Sequence, residues 1–361
     1  MLWPAHGSNP HYLYDAAGLK QPDRVIDFSA NINPFGSPTS VKENWGKLFE
    51  GIETYPDPQS TSLKKKLAHF VKIDEKQILI GNGGSEIISL IGRWLAGKKV
   101  MIVQPAFSEY ERVCAGNGCE VSYFHLTKDW KVDFDSFKDK LVDIDAVFFC
   151  NPNNPTGVFF NKKMIERILG ECQKHDCYLI VDEAFYDFVA DYQSLVPFLK
   201  DYSNLLLIRS MTKMYAIPGL RLGYMMASPA LVETLSTFQS HWSVNSMAMK
   251  VGELCLAEEE YVHHAIRFMD SQREYLFSFY KKNGFQVTDS KVNFYLLKDL
   301  ELDDQIPLFR FLLEKGIVPR HTFNFPGLEG RWLRFAIRTT EENQQLLEAM
   351  QEWRSIHPSS S

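Results

Sequence analysis

The sequence predicts an α/β fold: a mostly parallel sheet covered by helices, followed by a smaller C-terminal α+β domain. Three observations carry this expectation. Short, almost wholly apolar runs such as Asp145–Cys150, Tyr178–Val181 and Leu205–Ile208 are interleaved with helix-period segments, and such runs read as strands buried on both faces. The chain has 361 residues, enough for one large core and a satellite, because single cores stop growing at about 250–300 residues. After Ser240 the pattern changes to one long amphipathic helix followed by separate strand-like pieces.

Residues 1–38 are rich in Asn, Pro and Gly and are expected to form an extended N-terminal arm. The large domain is assigned to 39–240 and the small one, packing with the arm, to 241–361. Within the large domain, Leu63, Leu67, Phe70 and Val71 mark one face of a helix. Gln77–Ile80 reads as a strand, Ser85–Leu95 as a helix closed by Gly97, Lys99–Val103 as a strand and Lys162–His175 as a helix. Beyond Ser240, Val262, Ile266, Met269, Leu276 and Tyr280 line a helix that Asn283-Gly284 stops. Strands at Val292–Leu297 and Trp332–Ile337 and a closing helix from about Glu341 complete it, and Pro358-Ser359-Ser360-Ser361 reads as a frayed tail.

Composition narrows the function classes. Hydrophobic residues make up 45% and charged ones 23%, as in ordinary globular proteins. The 39 basic and 45 acidic side chains give −6, which argues against nucleic acid or an anionic membrane as the main partner. No apolar stretch approaches the roughly 20 residues that span a bilayer, and M-L-W-P-A-H-G-S-N-P does not read as a signal peptide. The six cysteines lack C-x-x-C spacing, so buried free thiols, no metal site and a cytoplasmic location are expected.

In an open parallel sheet, ligands gather beyond the carboxyl ends of the strands. Gly81-Asn82-Gly83-Gly84-Ser85-Glu86 follows the first strand and opens a helix, a place suited to a phosphate, although a tight turn alone would explain it. Asn151-Pro152-Asn153-Asn154-Pro155-Thr156-Gly157 follows Asp145–Cys150, its prolines fixing an Asn amide. Asp182-Glu183-Ala184-Phe185 places a carboxylate at the end of a buried strand, costly unless a cation meets it. Ser210-Met211-Thr212-Lys213 and Arg221 follow the next strand. A lysine among apolar neighbours is either a snorkelling side chain or a desolvated amine fit for a Schiff base. Together these segments offer a lysine for an aldehyde, a carboxylate for a pyridinium, an Asn donor for a phenolic oxygen and Gly, Ser and Arg groups for a phosphate. Those are the demands of pyridoxal phosphate.

The chain resembles the fold-type I enzymes that use pyridoxal 5'-phosphate, the aspartate-aminotransferase-like family, over nearly its whole length. The resemblance rests on Asn154-Pro155-Thr156-Gly157, Asp182-Glu183-Ala184-Phe185, and Ser210-Met211-Thr212-Lys213 with Arg221 eight residues on. It implies the transferase fold of that family. It further implies that Lys213 bonds the cofactor aldehyde and moves the proton, and that Asp182 pairs with the ring nitrogen. Asn154 would donate to the ring phenolate, Phe107 stack on the ring, and Gly84, Ser85, Ser210 and Arg221 hold the phosphate. Tyr55 would reach the phosphate in a neighbouring subunit, implying a homodimer with shared sites. Arg334 would grip the substrate carboxylate, with Arg320, Asn33 and His6 as further substrate anchors.

Two branches of the family compete. His6-Gly7-Ser8-Asn9, Asp27-Phe28-Ser29-Ala30-Asn31-Ile32-Asn33-Pro34, Phe185, Arg338-Thr339 and Asn324-Phe325-Pro326-Gly327-Leu328 are similar to the threonine-phosphate decarboxylases of cobalamin biosynthesis. That branch implies conversion of L-threonine O-3-phosphate, a small phosphorylated amino acid, to (R)-1-amino-2-propanol O-2-phosphate. A histidinol-phosphate-type aminotransferase using 2-oxoglutarate or glutamate is the alternative. A regulatory module that binds pyridoxal phosphate without catalysis is a third; its relatives carry an N-terminal DNA-binding domain, whereas about 40 residues precede the core here.

Overall fold

The apolar runs line up side by side. In the computed structural model, which describes residues 3–358, Ile78–Gly81 (β1), Lys99–Gln104 (β2), Glu120–His125 (β3), Ala146–Cys150 (β4), Tyr178–Asp182 (β5), Leu205–Ser210 (β6) and Gly223–Met226 (β7) form one sheet. Its order is β1-β7-β6-β5-β4-β2-β3. All pairs from β6 through β3 are parallel, while β7 is antiparallel to both its neighbours.

Strand alternation divides the core into two faces. Val147, Phe149, Leu179, Val181, Leu205 and Leu207 pack on one side, where the helix Lys162–Lys174 buries Ile165, Ile168, Leu169 and Cys172. Phe148, Ile180, Leu206 and Ile208 pack on the other, under Ile87, Ile88, Leu90 and Ile91 of the helix Gly84–Trp94. Each such side chain contributes about 1.5–3 kcal/mol on burial. The register matters for the site: Cys150 lies opposite Asp182 and Asp182 opposite Ile208, so three strands release their loops at one level.

Phe285–Val287 (β8), Phe294–Asp299 (β9), Arg320–His321 (β10) and Leu333–Ala336 (β11) form a second, antiparallel sheet in the order β10-β11-β9-β8. The helix Glu259–Lys282 buries Ala265, Met269, Leu276 and Tyr280 against it and ends at Asn283. The closing helix Thr340–Ile356 begins with a capping box between Thr339 and Glu342, which satisfies otherwise orphaned backbone donors. A loop of the first sheet is strapped to the second: Thr288 Oγ1 donates to Thr156 O at 2.6 Å and Lys291 N to Gly157 O at 2.9 Å. At Gly157 (φ +73°) any Cβ would collide with Ser290 Oγ, so only glycine fits.

The arm is not simply extended. Pro10 opens a helix, Pro10–Ala17, that buries Leu13, Tyr14 and Ala17 and ends at left-handed Gly18; proline at the first helical turn loses no hydrogen bond. Tyr14 OH donates to Leu313 O at 2.8 Å, and Ile26–Asp27 pairs in parallel with Ile317–Val318. Two strands of the first sheet also escaped the sequence reading. β3 is a half-exposed edge, and β7, Gly-Tyr-Met-Met, lacks β-branched residues. Positions 359–361, most of the expected tail, lie outside the described residues. The six cysteines are free thiols, five of them buried. Among the described residues no helix is long and apolar enough to cross a membrane.

Candidate active site

A cavity of about 600 Å³ opens beyond the carboxyl ends of β4, β5 and β6, between the two sheets and under the arm. Lys213 enters it from the turn after β6, and its Nζ donates to Thr212 Oγ1 at 2.9 Å. Desolvation, reinforced by the nearby Arg221 and opposed by Asp182, pushes the Lys213 pKa down to about 8. That leaves a useful fraction of free amine near neutral pH.

Asp182 ends β5 and is buried. Its Oδ2 accepts from Tyr110 OH at 2.5 Å and its Oδ1 from Ala184 N at 2.9 Å. Burial raises the Asp182 pKa against the lowering effect of these two donors and of Lys213. Tyr110 is itself held flat against Phe148, centroids 5.0 Å apart.

The glycine turn after β1 forms one corner. The helix Gly84–Trp94 begins there, and Gly84 and Ser85 of its first turn line the cavity with Ser210, Thr212 and Arg221; a helix start offers N–H groups to an anion. Gly83 has φ +79°, and a Cβ on it would sit 2.6 Å from Arg221 Nη2. Glu86 Oε2 braces the turn by accepting from Asn82 N at 2.6 Å.

The opposite wall carries two guanidiniums. Arg334 Nη1 donates to Asn154 Oδ1 at 2.7 Å and Nη2 to Ser29 O at 2.8 Å, while its Nε is buried without a partner. Arg320 Nη2 donates to Ala5 O and Asn324 Oδ1, both at 2.6 Å. Among the described residues, neither has a carboxylate in salt-bridge reach. Desolvation lowers both, Arg320 to about 9 and Arg334 to about 10. Asp27, which also lines the cavity, opposes the shift of Arg334 from beyond salt-bridge distance. Buried cations that no carboxylate touches mark a place for ligand anions.

The cavity gathers Lys213, Asp182, Gly84, Ser85, Phe107, Asn154, Ser210, Arg221, Arg320, Arg334 and His6. It does not include Asn33. That side chain is used up behind Lys213, with Nδ2 donating to Met214 O at 2.9 Å and Oδ1 accepting from Phe35 N at 3.2 Å. Asn31, two residues earlier, lines the cavity instead, and its buried Oδ1 has no partner. Tyr55 is 83% exposed and lies outside the cavity beside Trp242, so any role at a phosphate requires a second copy of the chain.

Sequence reasoning passed over Tyr110, Thr212 and Asn31. Tyr110 left no local signal, because its partner Asp182 stands 72 residues away. The residues present fit pyridoxal phosphate on the structure's own terms. An amine of lowered pKa, a buried carboxylate, a donor-rich helix start and the orphaned Arg334 Nε and Asn31 Oδ1 converge on one cavity. Among the described residues no cluster suited to a metal ion occurs.

Residues 23–350 match the family model described as aminotransferase class I and II. The chain is 36% identical over 353 residues to the threonine-phosphate decarboxylase of Salmonella typhimurium, covering 96% of this chain and 95% of that one. Its fold superposes on the crystal structure of histidinol-phosphate aminotransferase from Clostridium acetobutylicum with TM-score 0.87 at 31% identity, over 92% of this chain and 100% of that one. The L-threonine-O-3-phosphate decarboxylase structure from Porphyromonas gingivalis gives TM-score 0.81 at 25% identity, over 91% and 99%.

Proposed function

Because the chain belongs to the class I and II aminotransferase family, we propose that it is a pyridoxal-phosphate enzyme that decarboxylates L-threonine O-3-phosphate. The product is (R)-1-amino-2-propanol O-2-phosphate, a step of cobalamin biosynthesis. The observation that carries this reading is the pair of buried guanidiniums, Arg320 and Arg334, facing Lys213 without carboxylate partners. They call for a substrate with two anionic groups, as a phosphorylated amino acid has. The decarboxylase from Salmonella typhimurium, similar over 96% of this chain, supports the same choice.

When bound, the cofactor supplies the electron sink for the pair released as an α-bond breaks. Lys213 Nζ would hold its aldehyde carbon, Asp182 its ring nitrogen, Asn154 its ring oxygen and Phe107 its face. Gly84, Ser85, Ser210, Thr212 and Arg221 would hold its phosphate, joined by Tyr55 of the partner subunit in a homodimer. Tyr110 favours the ionised form of the Asp182 carboxylate against burial by donating to Oδ2. Arg334 seats the substrate carboxylate, while Arg320, Asn31 and His6 seat the phosphate. The positions of the two guanidiniums decide whether the carboxylate or the α-hydrogen departs. Lys213 Nζ, whose ammonium burial destabilises, then delivers a proton to the α-carbon. We place the enzyme in the cytoplasm.

A histidinol-phosphate-type aminotransferase is the second reading, favoured by the TM-score of 0.87 to such an enzyme. One assay separates the two. Release of CO₂ from O-phospho-L-threonine without any 2-oxo acid is expected, and conversion that requires 2-oxoglutarate would establish the aminotransferase instead.

A further inference from the structure

The turn Phe107-Ser108-Glu109-Tyr110 places Phe107 in the cavity and Tyr110 on Asp182, which leaves Glu109 without a part in the site. It opens the helix Glu109–Gly116 and is only 8% exposed. A buried carboxylate is costly unless paired, and Glu109 is paired twice. Oε2 accepts from Arg112 Nε at 2.8 Å, and Oε1 meets His6 Nε2 at 3.0 Å.

His6 belongs to the start of the arm, where the other hydrogen bonds of residues 3–8 run to the C-terminal domain or within the arm; its ring also lies 5.8 Å from that of Phe107. Trp3 stacks on Phe323 with centroids 5.2 Å apart. Pro4 O accepts from His321 Nε2 at 3.0 Å and Ala5 O from Arg320 Nη2 at 2.6 Å. Ser8 N donates to Ser29 Oγ at 2.9 Å, and a Cβ on Gly7 would fall 2.6 Å from Ser29 O, so the segment lies flush. The His6–Glu109 bond therefore ties the arm to the opposite wall, across the mouth of the cavity.

We propose that Glu109 is a positioning residue that holds His6, and with it the arm, over the cavity so that the imidazole faces the phosphate end of the substrate. The last clause rests on the substrate reading above; the tie itself does not. The His6 side chain is half exposed, so loss of this bond corresponds to roughly a two- to fivefold change in the docked population.

Hydrogen exchange of the holoenzyme, followed at the Ser8 amide, tests the tie without any turnover. Glu109→Gln should speed that exchange about two- to fivefold, and it should add nothing in a His6→Ala background. Arg112→Ala serves as the control: it removes the other partner of Glu109 and should leave Ser8 as protected as in wild type. With O-phospho-L-threonine, Glu109→Gln should raise KM about two- to fivefold with kcat essentially unchanged, and the absorbance of the bound cofactor should not change. Unaltered Ser8 exchange in Glu109→Gln, or equal loosening in Arg112→Ala, would overturn the proposal. If wild type released no CO₂ from this substrate, the function reading would fall while the exchange measurement still decided the tie.

Discussion

The Tyr110 hydroxyl lies 2.5 Å from Asp182 Oδ2, and both groups are buried. The phenol is held in its neutral, donating form, because burial and the adjacent Asp182 raise its pKa well above 10.0. A carboxylate in such surroundings stays ionised only if donors meet it, and Tyr110 is one of two, with Ala184 N.

Tyr110→Phe should therefore weaken cofactor binding by about 1.5–3 kcal/mol, the range for a hydrogen bond to a charged group. Titration of the apoenzyme with pyridoxal phosphate, read by absorbance, checks this. Asp182→Asn should behave differently: the cofactor stays, while turnover falls by orders of magnitude because a neutral amide cannot hold the ring nitrogen protonated. Near-normal turnover would remove Asp182 from its assigned role.

Lys213 gives a pH prediction with a defined sign. Its folded pKa of about 8 lies below the ordinary 10.5, so the unfolded chain binds more protons between these values and stability rises with pH across them. In the apoenzyme, Lys213→Met should gain on the order of 2–4 kcal/mol at pH 7. The gain should shrink from pH 8 towards 10.5, as thermal unfolding of both proteins at several pH values would show. A constant difference would mean that the lysine is not desolvated.

Arg334 grips Asn154 and Ser29 with separate nitrogens, a fork that a lysine cannot reproduce. Arg334→Lys should lower kcat/KM by at least about tenfold, and Arg320→Met should act mainly on KM, each corresponding to roughly 1.4 kcal/mol or more. Steady-state kinetics with O-phospho-L-threonine distinguishes the two patterns. An unchanged KM in Arg320→Met would exclude it as an anchor.

Behind the site, Arg209 Nε donates to Glu183 Oε2 at 2.9 Å, and Tyr192 OH bonds both partners. Each charged residue is one position from a site residue, Asp182 or Ser210. Glu183→Gln leaves a buried guanidinium without its counter-ion and should cost about 3–5 kcal/mol. Denaturant unfolding measures it, and a change below about 1 kcal/mol would contradict this account.

Much of this was legible in the residues because burial on both faces writes itself as an uninterrupted apolar run. Val147, Phe148 and Phe149 or Leu205, Leu206 and Leu207 admit no other strand reading, and the loops after them had to meet at one sheet edge. The rest was hidden for equally physical reasons. In Glu120–His125 only Phe124 is fully buried, so no core pattern exists to read. Asn31 and Asn33 stand two positions apart on one irregular segment, and the contacts of Asn33 with Met214 and Phe35 decide which amide is left free. Glu109 and Tyr110 depended on partners 103 and 72 residues away, a separation that no local pattern encodes.

The strap from Thr288 and Lys291 to the Thr156–Gly157 turn has a mechanical consequence. The same turn carries Asn154, which Arg334 of the second sheet also holds. Any swing of that sheet must drag the turn with it, so a tug exerted by an anion on Arg334 is transmitted to Asn154 through a single rigid link. In the function proposed above, capture at one wall would be geared to alignment at the other.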